Sequence, residues 1–274
     1  MSTRTLTIPS FDGCTLFCTI DGDDDAPPVV FSHSLGFSLE MWSSQVQVLV
    51  DRFKVVRYDS RGHGRSAVPE GEYSIEMLGR DALAVLDAVG IRRAHFVGLS
   101  MGAMTGMWLA ANHRDRIAKL VLANTTAHIG RPQMWQERIA QAREKGLDEI
   151  AAATISRWLS PSFKAERPDE VNRLVETMRA MPLQGYLGSC AVLRDVDLRK
   201  DLKKIIAPTL VIAGAEYGGN EADAAERLRA GIAGALLVTI RRAAHLSNLE
   251  NPAEFNEVLR RFLIDSHFEV AKNG

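Results

Sequence analysis

The sequence predicts an α/β fold in which a doubly wound, mostly parallel sheet carries an inserted helical segment. Short β-rich runs alternate with longer helical patterns, which is typical of βαβ units. From Val29 onward the β-rich runs are continuous and apolar, as in strands that are buried on both faces of a parallel sheet. Between Asn124 and Pro208 the strand signal disappears and the apolar spacing becomes helical.

Eight strands are expected, and the first two form an antiparallel hairpin because no helical pattern separates them. The predicted strands are Leu6–Ile8, Leu16–Ile20, Val29–Ser32, Val55–Tyr58, His95–Leu99, Leu120–Ala123, Leu210–Ala213 and Leu237–Ile240. Apolar residues at helical spacing predict five helices between or after these strands. The predicted helices are Leu39–Val50, Ile75–Val89, Met101–Asn112, Glu221–Ala230 and Ala253–Phe262.

The strand-free segment predicts a second structural unit. Because ligands bind at the carboxyl edge of open α/β sheets, we expect this insertion to form a helical cap over that edge. The domain prediction is therefore a core of residues 1–126 and 208–274, with a helical cap of residues 127–207. A chain of 274 residues is long enough to bury such a core without disulfides or metals.

Composition excludes several classes of function. Lys and Arg number 33 against 34 Asp and Glu, which argues against a nucleic-acid binder with a basic footprint. The three cysteines Cys14, Cys18 and Cys190 form neither a disulfide framework nor a zinc site, so we expect structural thiols in a reducing compartment. No signal-peptide pattern follows Met1, and we expect a cytoplasmic protein.

The stretch Ala94–Ala111 contains no Asp, Glu, Lys or Arg, so we consider whether it spans a membrane. Glycines interrupt it and charges flank it closely, so a buried strand followed by a buried helix explains it better. We therefore expect a small-molecule substrate and no membrane or nucleic-acid partner. Whether the chain forms a homo-oligomer stays open.

The strongest chemical signal is the segment Gly98–Gly102, which reads G-x-S-x-G after an apolar strand and at the start of a helix. This is the context that a nucleophile elbow requires, with Ser100 on a strained, exposed turn. The helix N-terminus adds backbone N–H groups and a positive dipole end. The alternative is a tight strand–helix turn that contains a serine without catalytic use.

A nucleophilic serine needs a base, and in this fold the base follows it in the chain. Of the seven histidines, His245 is best placed, because it follows the last predicted strand and precedes the terminal helix. His63, His95 and His113 lie in a glycine-rich turn, a strand and a helix end, and we interpret them as structural.

Two backbone N–H groups are expected to form an oxyanion hole. One belongs to Met101, the residue after the nucleophile. The other comes from the loop that follows the strand Val29–Ser32, where Leu35 is the candidate. An ordinary turn at this loop is the alternative.

These segments together resemble an α/β-hydrolase, and within that superfamily the chain most resembles the 3-oxoadipate enol-lactonases. The similarity runs from about Leu16 to Leu263 and implies an α/β-hydrolase fold with no cofactor and no metal. The elbow and the glycine-rich turn are shared by many hydrolases, whereas the cap and Asn124 segments point more narrowly to the enol-lactonases. The resemblance rests on His33–Gly36, Leu39–Trp42, Asp59–Ser66, Gly98–Gly102, Leu120–Thr125, Trp135, Arg138-Ile139, Arg194–Arg199, Pro208–Gly214 and Ala244–Asn248.

The family pattern breaks at the triad acid. This acid normally stands a few residues past Gly214, and counting back from Leu228 and Ile232 puts Tyr217 in its slot without a gap. A phenol is neutral near pH 7 and cannot stabilise an imidazolium as a carboxylate does. The other acid position of hydrolases follows the strand that ends at Ala123, and there the chain has Asn124.

Three interpretations of the acid slot stay open. A neighbour supplies the carboxylate, namely Glu216, Glu221 or Asp223. Alternatively the triad is incomplete, either by engineering or because the reaction is not ordinary hydrolysis. The third interpretation is that the register is miscounted.

The resemblance implies opening of a carboxylate-bearing enol-lactone in aromatic catabolism, with Ser100 as nucleophile and His245 as base. Trp135 and Arg138 are the cap candidates for ring packing and carboxylate pairing, because Arg matches carboxylate geometry. Alternatively, Trp135 and Arg138 have only structural roles, in packing between the cap and the core or in a surface ion pair. Other functions stay open: a non-hydrolytic cyclase or lyase, another small-ester hydrolase, and a catalytically impaired binder.

Overall fold

All eight predicted strands are present and form one sheet. The computed structural model describes residues 3–216, 221–265 and 268. The strands are β1 (Arg4–Pro9), β2 (Thr15–Asp21), β3 (Pro28–Ser32), β4 (Lys54–Tyr58), β5 (Ala94–Leu99), β6 (Ile117–Ala123), β7 (Thr209–Gly214) and β8 (Leu236–Ile240).

The sheet order is β1-β2-β4-β3-β5-β6-β7-β8. The pairs β1–β2 and β2–β4 are antiparallel, and the remaining neighbours are parallel. The predicted hairpin and the mostly parallel, doubly wound sheet are thereby confirmed. The order reverses around β3, β4 and β5, so the loops after β3 and β5 meet at the carboxyl edge, where such sheets bind ligands.

Helices cover both faces of this sheet and fill the insertion. They are α1 (Ser43–Leu49), α2 (Ile75–Ala88), α3 (Met101–Asn112), α4 (Pro132–Lys145), α5 (Asp148–Trp158), α6 (Pro161–Glu166), α7 (Pro168–Arg179), α8 (Leu183–Asp195), α9 (Glu221–Gly231), α10 (Ser247–Glu250) and α11 (Pro252–Ile264). The predicted helix Leu39–Val50 is divided, because its first turn, Leu39–Trp42, is a 3₁₀ helix that precedes α1.

The five helices α4–α8 lie in the segment 127–207, which we call the cap segment. The structure describes every residue of it, and it contains no strand apart from an isolated bridge between His128 and Asp197. The division of the chain into a core and a cap stays a prediction.

The core consists of two apolar clusters, one on each face of the sheet. Neighbouring strand residues alternate between them: Val30 and Phe96 belong to one cluster, whereas Val29 and Val97 belong to the other. Side chains on a strand point alternately to opposite faces, so both faces of the central strands are covered. This explains why the runs from Val29 onward are continuously apolar rather than alternating.

The three cysteines are free and buried. Burial raises the pKa of Cys14 to about 11 and the pKa of Cys18 and Cys190 to about 12. Such thiols stay protonated at neutral pH and are poor nucleophiles. Across the described part of the chain, no helix is both long and apolar enough to cross a membrane.

Candidate active site

Ser100 lies between β5 and α3 on a backbone that L-residues rarely adopt. Its φ is 55° and its ψ is −115°. Glycines on either side permit this turn, because a Cβ at Gly98 would overlap the backbone of Gly102 and Ala103. The geometry is the strained strand–turn–helix that the sequence predicts for a nucleophile elbow.

The candidate oxyanion donors lie beside this elbow. A Cβ at Gly102 would overlap the carbonyl oxygen of Ser32, so α3 begins in direct contact with the end of β3 and the loop that carries Leu35. Within the described chain, neither the Leu35 N–H nor the Met101 N–H donates a hydrogen bond. Two buried amides are therefore left free to bind a developing oxyanion.

Two buried histidines fix the loop that carries Leu35. The Ser60 N–H donates to His33 Nε2 at 2.9 Å, and the Gly36 N–H donates to His63 Nε2 at 3.3 Å. Because each Nε2 accepts, the proton of each ring lies on Nδ1, which faces a backbone carbonyl. Burial lowers the pKa of His63 to about 3, so both rings serve the loop as neutral donors and acceptors. This agrees with a structural interpretation of His63.

The loop after β8 brings His245 to the same edge as Ser100. The Ser100 N–H donates to the Ala123 carbonyl at 2.9 Å, and the next residue, Asn124, donates from Nδ2 to the Ala244 carbonyl at 2.9 Å. One short segment at the end of β6 therefore binds both Ser100 and Ala244, the residue before His245. Burial and, to a lesser degree, the Arg157 guanidinium lower the pKa of His245 to about 3, so its imidazole is neutral near pH 7.

Asn124, which occupies the second acid position of hydrolases, is engaged elsewhere. Its φ is 45°, and its side chain binds the Ala244 carbonyl through Nδ2 and the Ser247 hydroxyl through Oδ1. Its side-chain amide therefore stabilises the loop after β8 that carries His245, which we call the histidine loop, through contacts on either side of His245.

The loop that carries the acid slot lies against the histidine loop. The Glu216 N–H donates to the Ala243 carbonyl at 2.8 Å, while the Glu216 and Asp223 side chains are exposed. Tyr217 and the side chain of Glu221 lie outside the described residues, so the assignment of the slot to Tyr217 stays a prediction.

The cap segment contributes a contact that sequence reasoning missed. The indole of Trp158, in the last residue of α5, lies 4.6 Å from the His245 imidazole between ring centroids. The Trp158 carbonyl also accepts the His245 N–H at 2.9 Å. The apolar spacing of Trp158 predicted that it lies on a buried helix face, but nothing in the sequence predicted that this face contacts His245.

Arg138 and Trp135, the predicted cap candidates, lie together on α4. The Arg138 guanidinium donates to the hydroxyls of Tyr186 and Thr154 and lies 5.7 Å from the Trp135 ring. It forms no ion pair with any carboxylate that the structure describes. The buried indole N–H of Trp135 likewise has no acceptor within that part of the chain. A cation and a donor without anionic partners suit a bound anion.

No cluster of His, Cys, Asp or Glu suited to a metal ion exists among the residues for which the structure gives positions. The candidate groups are backbone amides, an imidazole and a hydroxyl at the carboxyl edge of the sheet, and a guanidinium in the cap segment. Such groups can perform acyl transfer through a serine, with charge stabilised by backbone amides.

Comparisons with known proteins show the family and the fold of this chain. A family model described as alpha/beta hydrolase fold matches residues 27–252. The chain is 39% identical over 245 residues to 3-oxoadipate enol-lactonase 2 of Acinetobacter baylyi, which covers 88% of this chain and 91% of that protein. It is 35% identical over 260 residues to 3-oxoadipate enol-lactonase 1 of the same organism, and the alignment covers 95% of this chain and 97% of that protein. The crystal structure of the enol-lactonase from Burkholderia xenovorans LB400 superposes with a TM-score of 0.91 at 37% identity, covering 95% of this chain and all of that one (100%).

Proposed function

This chain belongs to the α/β-hydrolase family and hydrolyses ester bonds, and from that premise we propose that its substrate is an enol-lactone that carries a carboxylate. The likeness to proteins named as enol-lactonases supports this proposal. So does the set of groups at the carboxyl edge of the sheet, which suits attack on an ester carbonyl.

In the proposed reaction, the Ser100 hydroxyl attacks the lactone carbonyl while His245 takes its proton. The N–H groups of Leu35 and Met101 hold the oxyanion of the tetrahedral intermediate. The ring C–O bond then breaks, and the proton on His245 passes to the departing enol oxygen. A water molecule, activated by His245, hydrolyses the acyl-enzyme and regenerates Ser100.

The observation that carries the choice of substrate is Arg138, a cation that pairs with no carboxylate among the described residues. Thr154, whose hydroxyl accepts from Arg138, lies on α5 four residues before Trp158, which contacts the base. Residues at i and i+4 lie on one helix face about 6 Å apart. The same helix, α5, thus contacts both Arg138 and His245, and this arrangement suits a substrate whose carboxylate binds at Arg138 while its ester carbonyl lies near His245.

The test is the change in substrate preference of Arg138→Gln. For a carboxylate-bearing enol-lactone, we expect kcat/KM to fall on the order of 10- to 100-fold, because a charge-assisted hydrogen bond contributes about 1.5–3 kcal/mol. For a neutral aryl ester the fall should be within about threefold, since no charge is lost from that complex. Steady-state kinetics with both substrates measure the ratio.

The matched control is Arg143→Gln, which removes an exposed arginine from the same helix. It should leave both substrates unaffected. Equal losses of Arg138→Gln on the two substrates would contradict carboxylate recognition, and absence of enol-lactone turnover by the wild type would refute the proposed function.

A further inference from the structure

Glu250, the last residue of α10, is a buried carboxylate that the reaction described above does not use. Only 7% of its surface is exposed. It forms no ion pair within the described chain, and instead three backbone N–H groups point at its two oxygens. Burial raises the pKa of Glu250, while these three amides act in the opposite direction.

The three amides come from the two segments that matter for catalysis. Oε1 accepts the N–H of Ala244 at 2.9 Å and the N–H of Leu246 at 3.2 Å. These residues flank His245 on either side. Oε2 accepts the N–H of Ser160 at 2.7 Å, at the corner between α5 and α6 in the cap segment.

The same corner also holds the base directly. The His245 N–H donates to the carbonyl of Trp158, and the indole of Trp158 lies against the imidazole. Three successive N–H groups of the histidine loop are therefore bound either by Glu250 or by the corner that Glu250 binds. One carboxylate fixes the base and the cap corner relative to each other.

We propose that Glu250 is a positioning residue that sets His245 and the α5–α6 corner in one geometry for ester cleavage. This inference rests on the proposed role of His245 as base, but not on the identity of the lactone.

Charge and shape both require a carboxylate at this position. A carboxylate only accepts, and its two oxygens suffice for three donors. Glutamine replaces one oxygen with an NH₂ group, which would face an amide N–H and leave at least one of the three without an acceptor. The histidine loop or the corner must then shift.

The experiment compares Glu250→Gln and Glu250→Asp with Glu166→Gln. Glu166 lines the same surface pocket as Glu250 but pairs with Arg242, and its side chain is 57% exposed. A neutral aryl ester is the substrate, so the result does not depend on whether the enol-lactone is turned over. The imidazole signals of ¹⁵N-histidine-labelled protein, assigned with His245→Gln, report the position and tautomer of the base without any substrate.

We expect Glu250→Gln to lower kcat on the order of 10- to 100-fold with a smaller change in KM, because a small displacement of a reacting group has effects of that size. The pH midpoint of kcat/KM and the His245 signals should move with it. Glu250→Asp should give an intermediate loss, and Glu166→Gln should stay within twofold.

A folded Glu250→Gln with kcat within twofold and unchanged His245 signals would overturn the proposal. A loss of kcat that only follows the unfolded fraction measured by circular dichroism would also overturn it. If Glu250→Gln does not fold, Glu250→Asp decides: an unchanged kcat and unchanged His245 signals would be contrary to the proposal.

Discussion

At the scale of one residue, the candidate nucleophile Ser100 has a strained backbone. A residue held at φ 55° and ψ −115° costs on the order of 1–3 kcal/mol, which the surrounding β5–α3 packing must offset. We expect Ser100→Ala to abolish ester hydrolysis while keeping this cost. Ser100→Gly should also be inactive, but it should unfold at higher urea concentration than Ser100→Ala because glycine adopts this conformation freely.

Activity assays with an aryl ester and urea unfolding measure both effects. Ser43→Ala, at an exposed serine outside the site, is the control and should change neither. Activity of Ser100→Ala within tenfold of wild type would refute a covalent mechanism. Equal stabilities of the alanine and glycine variants would show that the turn is not strained.

Position 217 carries the second prediction at this scale, which rests on sequence alone. Loss of a triad Asp costs roughly 10⁴ in turnover in serine proteases. An enol is a better leaving group than an alkoxide, so its departure needs less help from a cationic histidine. We therefore expect Tyr217→Asp to raise kcat more for a simple alkyl ester than for an enol-lactone.

Steady-state rates for the two substrates, compared between wild type and Tyr217→Asp, give this ratio. Tyr217→Phe is the control for the phenol hydroxyl itself. A gain of several thousandfold on the enol-lactone would show that the wild-type Ser–His pair is severely impaired. Equal gains on both substrates would remove the leaving-group explanation.

At the scale of elements, the contact between α3 and the end of β3 places the candidate oxyanion donors Leu35 and Met101. Gly102→Ala would force its methyl group into the backbone of Ser32 and His33, which cannot move aside as a side chain can. We expect destabilisation of about 1–3 kcal/mol, typical of overpacking, together with a lower kcat. Thermal unfolding and aryl-ester kinetics at a temperature where the variant is folded separate the two effects.

Gly231→Ala, on α9, is the matched control for this substitution. Its methyl group would meet the tip of the Leu202 side chain, which is able to rotate away. It should leave kcat unchanged. A normal kcat in folded Gly102→Ala would contradict the assigned role of this helix–strand contact.

The elements show where sequence reasoning is sufficient. The strands from β3 onward were predictable because parallel strands covered on both faces leave uninterrupted apolar runs, whereas β1 and β2 were predictable as short β-rich runs with no helical pattern between them. The short helix α10 was missed, because four residues present no apolar period. Glu250 was missed with it, since a charged residue before Pro252 is typical of an exposed helix start. Its burial is favourable because three backbone amides donate to it, two from the preceding loop, at Ala244 and Leu246, and one from the distant Ser160.

The cap contacts could not be predicted for a related reason. The spacing of Trp158 predicts that it is buried on a helix face, but the partner of that face depends on how α5 lies over the sheet. Arg138 was found through resemblance, and only the positions of α4, α5 and α8 together show that it has no ion pair within the part of the chain that the structure describes.

At the scale of the whole molecule, buried imidazoles make the free energy of unfolding depend on pH. Burial lowers the pKa of four of them below the ordinary value of about 6.5: His33, His63, His95 and His245. The unfolded chain therefore binds more protons than the folded chain as pH falls below about 6.5, and the free energy of unfolding decreases. Each such group contributes up to about 1.4 kcal/mol per pH unit in that window.

Urea unfolding at pH 7.5, 6.5 and 5.5 would measure this decrease. His95→Gln, in β5 and away from the site, should reduce the slope of the free energy of unfolding against pH. The reduction corresponds to at most one proton fewer taken up on unfolding. Asp81 and Glu250, whose carboxyl pKa is raised by burial, act in the opposite direction at lower pH. A free energy of unfolding that does not change between pH 7.5 and 5.5 would contradict the prediction.

The cap segment is the connection between two strands that lie side by side, since β6 and β7 are paired in parallel. Although this connection crosses the sheet, Ala127 and Leu198 within it are neighbours, because the Leu198 N–H donates to the Ala127 carbonyl at 2.8 Å. The sheet would lose none of its own pairing if the residues between these two were exchanged for a segment of different length or shape. Recombination at this place would change the substrates of the protein while Ser100 and His245 are kept. A replacement segment would have to keep two backbone contacts. At the position of Trp158 its carbonyl must accept the His245 N–H, and at the position of Ser160 its N–H must donate to Glu250.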